Sequence, residues 1–284
     1  MRKPRARKRH AVLLGSASVL AFALACTGCA QASGGSAPAT VKRSSVPGAA
    51  SGQAVAAPSP AAGLDRGPAT GAGNAVRRNA STGRDEVVLP DIRHTALLIG
   101  DSQSEPEGSW PRSALAALGY TVFYAGKSGT GFVAGNGTTG NYIDALQNGD
   151  WLLPHGSPPL IVVQGGGNDV RVGAEDTSIA TNALRLIDEL RSRYPGSRLV
   201  MIGTLARGQG HGGGRRTEVD ALLGGIAASA DIPFISAGDW LSRYGVERDL
   251  VDGIHLAAPG HRKLSSVLAR RLSELGLAAE GSES

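Results

Sequence analysis

Short apolar runs alternate with segments of helical period over the second two-thirds of the chain. Runs such as Leu160–Val163 and Arg198–Ile202 have the length and branched residues of strands buried on both faces. Apolar residues recur at helical spacing over Thr177–Tyr194. Since strands alternating with helices cover both faces of a parallel sheet, the pattern predicts an α/β fold with helices on each side of the sheet.

Five strands and five helices are predicted from this pattern. The strands are Thr95–Ile99, Tyr120–Tyr124, Leu160–Val163, Arg198–Ile202 and Ile232–Ile235. The helices are Pro111–Leu118, Tyr142–Leu146, Thr177–Tyr194, Thr217–Ala230 and a last one that runs from Pro259 through Leu272. The predicted domain extends over residues 87–278, followed by a flexible tail at 279–284, and we expect a monomer.

The first 29 residues have the pattern of an export signal. Six basic residues within the first nine precede an apolar run from Ala11 to Ala25 and a small-residue end. An uncleaved membrane anchor is the alternative. The two cysteines of the chain, Cys26 and Cys29, each lie in a sequence that resembles a bacterial lipoprotein cleavage box without its usual leucine. The protein is therefore expected to be secreted or held at the cell surface. Attachment to the membrane through a lipidated Cys26 or Cys29 is an alternative that the sequence leaves open.

Residues 30–86 are dominated by Ala, Gly, Ser, Pro and Thr, which predicts a disordered tether. The chain carries a formal charge of +5, but the excess of basic over acidic residues lies in the first 86 residues. The predicted domain itself has an excess of acidic residues, so its charge does not favour a nucleic-acid partner.

Ser102 directly follows the first predicted strand, in the sequence Gly100-Asp101-Ser102. Catalytic groups collect at the carboxyl ends of parallel strands, so Ser102 is a candidate nucleophile. A helix cap or turn serine is the alternative interpretation. The sequence is not the Gly-x-Ser-x-Gly elbow of α/β-hydrolases, because Leu98 and Ser104 occupy the two glycine positions.

Asp252-Gly253-Ile254-His255 precedes the last helix and supplies a candidate base. Gly253 allows a sharp turn in which Asp252 can bind Nδ1 of His255 and leave Nε2 free to take a serine proton. The alternative is a turn-capping aspartate beside a solvated histidine.

Gly165-Gly166-Gly167-Asn168-Asp169 follows the third strand, and Asn168 offers an uncharged donor suited to an oxyanion. A tight turn with Asn168 in a left-handed conformation is the alternative. Gly126-Lys127-Ser128 follows the second strand but does not match a phosphate loop, since Thr121 stands where the first glycine belongs. The backbone N–H of Gly129 is instead a candidate oxyanion donor. We expect neither a cofactor nor a metal, since no cluster has metal-ligand spacing.

Together these four motifs resemble those of the GDSL or SGNH hydrolase family, in the same order and over Ile99 to His255. The resemblance implies a flavodoxin-like three-layer sandwich with a five-stranded parallel sheet. It also implies Ser102 as nucleophile, His255 and Asp252 as base and orienter, and an oxyanion hole formed by Ser102, Gly129 and Asn168. Gln103 departs from the leucine that the family usually has after Gly-Asp-Ser.

These expectations describe an exported serine esterase that acts on short acyl esters, for example acetyl esters of a carbohydrate or small molecule. The alternatives are a lipase or lysophospholipase and a non-catalytic glycan-binding module of the same fold. His261 is expected at the surface of the last helix. Four aromatic residues are expected either to form a sugar platform or to pack in the core: Trp110, Phe132, Tyr142 and Trp151.

Overall fold

The computed structural model describes residues 74–281. The predicted export signal, Cys26, Cys29 and residues 282–284 lie outside the described residues, as does most of the predicted tether. The strands are β1 (Val76–Arg78), β2 (Asp85–Val87), β3 (Thr95–Gly100), β4 (Thr121–Gly126), β5 (Leu153–Pro154), β6 (Leu160–Gln164), β7 (Arg198–Ile202) and β8 (Phe234–Ile235). The α-helices are α1 (Trp110–Ala117), α2 (Tyr142–Asn148), α3 (Gly167–Arg171), α4 (Asp176–Arg193), α5 (Gly214–Ser229), α6 (Trp240–Arg243) and α7 (Ala258–Glu274).

The central sheet has five parallel strands in the order β4-β3-β6-β7-β8. Numbered along the chain, this is the 2-1-3-4-5 order of flavodoxin-like folds. The prediction of a five-stranded parallel sheet is confirmed. Its first strand, β3, is completely buried and lies between β4 and β6.

Apolar side chains cover both faces of this sheet and divide the core into two halves. Ala96 and Leu98 of β3 pack in one half with residues of α1 and α7, whereas Leu97 and Ile99 pack in the other with residues of α2, α4 and α5. Successive strand residues point to opposite faces, which explains why a continuous apolar run is needed here. The result is the predicted three-layer sandwich. Among residues 74–281, no helix combines the length and hydropathy that crossing a membrane requires.

A second, small sheet corrects the predicted domain boundaries. Strand β2 pairs antiparallel with β1 and parallel with β5, so residues within the predicted tether 30–86 belong to the folded domain. The Glu86 side chain is almost fully buried, and its carboxylate accepts hydrogen bonds from Arg193 and Asn79 and contacts His155 at 2.9 Å. Arg193 and His155 lie far along the chain from Glu86, so these contacts could not be inferred from local composition. At the other end, Ala279 of the predicted flexible tail is buried and its N–H bonds to the carbonyl of Leu118.

Candidate active site

Three of the four sequence motifs follow neighbouring strands of the central sheet, where each strand ends. Ser102 follows β3, Gly129 follows β4 and Asn168 lies in the short helix α3 after β6. Because β3 lies between β4 and β6, and all three strands are parallel, these residues meet at one edge of the sheet. The fourth motif approaches the same edge in the loop that precedes α7.

Ser102, His255 and Asp252 form a continuous chain of hydrogen bonds. His255 Nε2 lies 2.8 Å from Ser102 Oγ, and His255 Nδ1 lies 2.6 Å from Asp252 Oδ2. The other carboxylate oxygen of Asp252 accepts from the backbone N–H groups of His255 and Ile254. The hydrogen bonds from His255 hold the pKa of Asp252 well below its usual range. Asp252 therefore stays ionised and favours the His255 tautomer with its proton on Nδ1.

Of the backbone N–H groups at this edge that lack an acceptor among the described residues, two are candidate oxyanion donors. They belong to Ser102 and Gly129, the two backbone donors expected from the sequence. Gly129 has φ +85°, a left-handed conformation that a residue with a side chain adopts only with strain. These unpaired donors are suited to a ligand oxygen.

The Asn168 amide is held by two acceptors from different segments. Its Nδ2 donates to the carbonyl of Thr130 at 3.0 Å and, over a longer distance of 3.3 Å, to Asp101 Oδ2. Asp101 is buried, and its other oxygen accepts from the Gln103 N–H. Burial raises the pKa of Asp101 to about 6. Asn168 is thus oriented toward the site by the residue that precedes Ser102.

Asp169, for which the sequence suggested no role, organises the loop that carries Gly129. Its carboxylate is completely buried and accepts from the backbone N–H groups of three successive residues: Phe132, Val133 and Ala134. Such a carboxylate replaces backbone partners that the irregular loop cannot supply itself. The position directly after Asn168 was the available sequence signal, but the three donors lie more than thirty residues away.

Gln103, the departure from the family pattern, connects two segments of the site. One is the turn after β3 that carries Ser102 (residues 101–104, the nucleophile turn), and the other is the loop that carries His255 (residues 251–255, the base loop). Its Nε2 donates to the carbonyl of Ile254 at 2.9 Å. The side chain is buried, and its Oε1 has no hydrogen-bond partner within residues 74–281. A leucine in this place could pack but could not make this bond.

Ser102 lies between two cavities of different size. The first has a volume of about 20 Å³ and is lined by Ser102, Asn168, Gly167, Thr204 and Arg216, among others. The second has a volume of about 360 Å³ and includes Ser102, His255, His261, Glu105 and Ser128 in its wall. Only the second cavity is bordered by His255.

The structure corrects the expectation for His261 and decides between the two alternatives for four aromatic residues. His261 is half-buried and lines the larger cavity, where its Nδ1 accepts from the Trp110 N–H at 3.2 Å. Burial lowers the pKa of His261. The four candidate aromatic residues are all buried and belong to the core, so none of them forms a sugar platform: Trp110, Phe132, Tyr142 and Trp151. Within residues 74–281, no three His, Cys, Asp or Glu side chains are grouped as metal ligands would be.

A curated protein and several solved structures are similar to this chain. A "Multidomain esterase" of Ruminococcus flavefaciens is 26% identical over 150 residues, which cover 51% of this chain and 19% of that protein. The chain therefore spans about a fifth of that relative's length. A solved structure with 17% identity superposes with a TM-score of 0.51, covering 65% of this chain and 98% of its own, and shows the same fold. The esterase EstA of Pseudoalteromonas sp. aligns at 14% identity with a TM-score of 0.49, covering 64% and 98%.

A family model provides the more extensive match. The GDSL-like lipase/acylhydrolase model matches residues 95–263, which include the first strand of the central sheet and all four motifs. This range is more than half of the chain and contains every residue of the hydrogen-bonded chain and its candidate oxyanion donors. The protein belongs to the GDSL-like lipase/acylhydrolase family.

Proposed function

We propose that the protein is a serine esterase that cleaves short acyl esters through an acyl-enzyme on Ser102. His255 removes the Ser102 proton as the hydroxyl oxygen attacks the ester carbonyl, and Asp252 holds and stabilises the resulting imidazolium. The tetrahedral intermediate collapses when His255 gives the proton to the leaving alcohol. Water, deprotonated by His255, then releases the acid and restores Ser102.

The observation that carries the proposal is the hydrogen-bond chain from Asp252 through His255 to Ser102. Its two side-chain distances, 2.6 and 2.8 Å, are within the range needed for proton transfer. The two nitrogens of the His255 imidazole have different partners. Nδ1 therefore carries the proton that it donates to Asp252, and Nε2 can accept the proton of Ser102. If Asp252 only capped the turn and His255 were only a solvated side chain, His255 would not need to contact Ser102.

The unpaired N–H groups of Ser102 and Gly129 support the assignment of the oxyanion hole. Asn168 would supply the third donor through the N–H that now makes the long 3.3 Å contact with Asp101. Exchanging this weak contact for a negatively charged oxygen is favourable only when charge develops in the transition state. Such a donor lowers the barrier more than it strengthens substrate binding.

The two cavities support a short acyl group attached to a larger alcohol. Because His255 has to protonate the leaving oxygen, the alcohol belongs in the cavity of about 360 Å³ that His255 borders. The acyl group is then left with the cavity of about 20 Å³ beside Asn168. A cavity needs about 10–15 Å³ to hold one water, so this one suits the methyl of an acetyl group. The wall of the larger cavity combines the hydrogen-bonding side chains of Glu105, Ser128 and His261 with the apolar residues Pro106 and Leu256. This combination suits an alcohol with hydroxyl groups and apolar ring faces, such as a carbohydrate.

The basic and apolar pattern of residues 1–29 supports action outside the cytoplasm, on esters of the cell surface or the surroundings. Attachment through a lipidated Cys26 or Cys29 is part of the same proposal. Mass spectrometry of the mature N-terminus tests it. A diacylglycerol-modified cysteine would establish the anchor, and an unmodified N-terminus after residue 29 would replace it with simple secretion.

The esterase is tested with p-nitrophenyl acetate and a fluorophosphonate probe. We expect the wild-type protein to turn over the ester and to be labelled on Ser102, and Ser102→Ala to lose on the order of 10⁴-fold or more in rate together with the label. Ser266→Ala, which changes a serine on the exposed side of α7, is the matched control and should behave as wild type. Turnover by Ser102→Ala at the wild-type rate would exclude the mechanism. A folded wild-type protein that neither reacts with the probe nor cleaves esters would favour a binding module.

A p-nitrophenyl ester series from two to ten carbons tests the acyl length. We expect the highest kcat/KM for acetate. A preference for eight carbons or more would favour a lipase instead.

A further inference from the structure

Arg216 is a cationic side chain in the wall of the smaller cavity that the proposed mechanism does not use. It lies in the first turn of α5, and its guanidinium reaches back to the backbone of Gly167, next to Asn168. A Cβ built on Gly167 would lie 2.8 Å from Arg216 Nη1. Because Gly167 has no side chain, the Arg216 guanidinium has room to lie against its backbone.

The guanidinium of Arg216 makes no hydrogen bond and no ion pair within residues 74–281. The negative charge of Asp101 acts on the Arg216 guanidinium, but the Asp101 oxygens accept their hydrogen bonds from Gln103 and Asn168 instead. Burial lowers the pKa of Arg216, and Asp101 partly offsets this effect. A half-buried guanidinium of this kind keeps its charge only while water or a polar group reaches it.

The neighbouring Arg215 has a different environment. It bonds to Asp176 and forms an ion pair with Glu218, both on the outer side of the domain. Successive helix residues point about 100° apart, so only one of the two arginines faces the cavity. Ion pairing on the surface accounts for Arg215 but not for Arg216.

We infer that Arg216 determines the acyl specificity of the proposed esterase by closing the acyl cavity beside Ser102 and Asn168. The inference rests on the proposed function and assigns its short-acyl preference to one residue. Arg216 acts in two ways. Its side chain occupies the volume that a third and fourth acyl carbon would need, and an apolar chain placed there would remove water from an unpaired charge. An acetyl group stops short of both effects.

The test compares kcat/KM for p-nitrophenyl butyrate and p-nitrophenyl acetate in the full-length protein. In Arg216→Ala we expect the butyrate-to-acetate ratio to rise by about tenfold or more, since two methylenes gain the volume that the guanidinium occupied and no longer displace water from a charge. Arg215→Ala is the matched control and should leave the ratio unchanged. The ratio of α-naphthyl acetate to p-nitrophenyl acetate should also stay constant in Arg216→Ala, because only the alcohol differs and it occupies the other cavity.

The butyrate-to-acetate ratio of kcat/KM distinguishes a residue that determines specificity from one that only stabilises the fold. If Arg216 only stabilises the fold around Asp101, Arg216→Ala lowers both rates together, the ratio does not move and the inference is overturned. If Arg216→Ala does not fold, Arg216→Met retains the aliphatic stem without the charge, and we expect the ratio to rise by about threefold or more. A Met variant with the wild-type ratio also overturns the inference.

Failure of the proposed function gives a different result. A wild-type protein that cleaves acetate well, combined with variants of unchanged ratio, retains the esterase and removes only the role of Arg216. A wild-type protein that cleaves no ester removes both.

Discussion

The side-chain amide of Gln103 donates a 2.9 Å hydrogen bond to the carbonyl oxygen of Ile254, linking the residue after Ser102 to the residue before His255. The base loop is otherwise poorly buried, since residues 251–254 are exposed. Besides the contact between Ser102 and His255, this is the hydrogen bond that joins residues 251–255 to the nucleophile turn in the described part of the chain. Gln103 is therefore a positioning residue for the proposed base.

Replacing Gln103 by leucine should lower activity without lowering stability. Loss of one hydrogen bond is worth about 0.5–1.5 kcal/mol, which corresponds to a two- to tenfold decrease in kcat. The buried Oε1 that lacks a partner disappears at the same time, so we expect the urea midpoint to stay the same or increase. Steady-state kinetics and urea denaturation measure the two effects. Gln147→Leu, at an exposed position of α2, is the control, and an unchanged kcat in Gln103→Leu would contradict the positioning role.

Replacing Asn168 by alanine should reduce kcat by on the order of 10²–10³, with a smaller effect on KM, if its amide stabilises the oxyanion. The variant also loses the contacts with Thr130 and Asp101, so its folding has to be checked by thermal denaturation. A folded Asn168→Ala protein within threefold of the wild-type kcat would favour a role in the turn alone.

The buried carboxyl of Asp101 should make stability depend on pH. Burial raises its pKa from 3.8 to about 6, so between these values the folded state holds a proton that the unfolded state has lost. The free energy of unfolding therefore falls as pH rises from about 4 to 6, by about 3 kcal/mol from this group. Asp101→Asn removes the effect.

Urea unfolding of the wild type and Asp101→Asn at pH 4 and pH 7 measures this dependence. We subtract the free energy of unfolding of the wild type from that of Asp101→Asn at each pH. This difference should be about 3 kcal/mol larger at pH 7 than at pH 4. A relative stability that is the same at both pH values would show that Asp101 titrates at its ordinary pKa.

Glu86 should contribute strongly to stability although it precedes the predicted domain. Its carboxylate and the Arg193 side chain are both almost fully buried, and removing one partner of such a pair costs about 3–5 kcal/mol. We expect Glu86→Ala to lower the free energy of unfolding by this amount in urea denaturation. Asp85→Ala is the matched control, because the Asp85 contact with Arg78 is exposed and is worth less than about 1 kcal/mol. Equal effects of the two substitutions would place residues 74–86 outside the cooperative unit.

The strands and helices of the central layer were predicted from the sequence because their patterns are local. Strand β3 was expected at Thr95–Ile99 and extends over Thr95–Gly100, and the helix expected at Thr177–Tyr194 extends over Asp176–Arg193. The small sheet was missed. Its strands have two or three residues each, too few for a period to be visible, and its composition resembles that of a linker.

What the sequence by itself determined is the set of residues that meets at the sheet edge. Parallel strands end on one side, so motifs that follow β3, β4 and β6 are brought together whatever the details of packing. Only the tertiary structure decided the contacts around that set and elsewhere in the domain. These are the bond from Gln103 to Ile254, the guanidinium of Arg216 in the smaller cavity with no partner within residues 74–281, and the burial of Glu86 in the small sheet. Each depends on side chains from distant segments, and the polarity of a residue alone does not indicate which partner, or which cavity, it will reach.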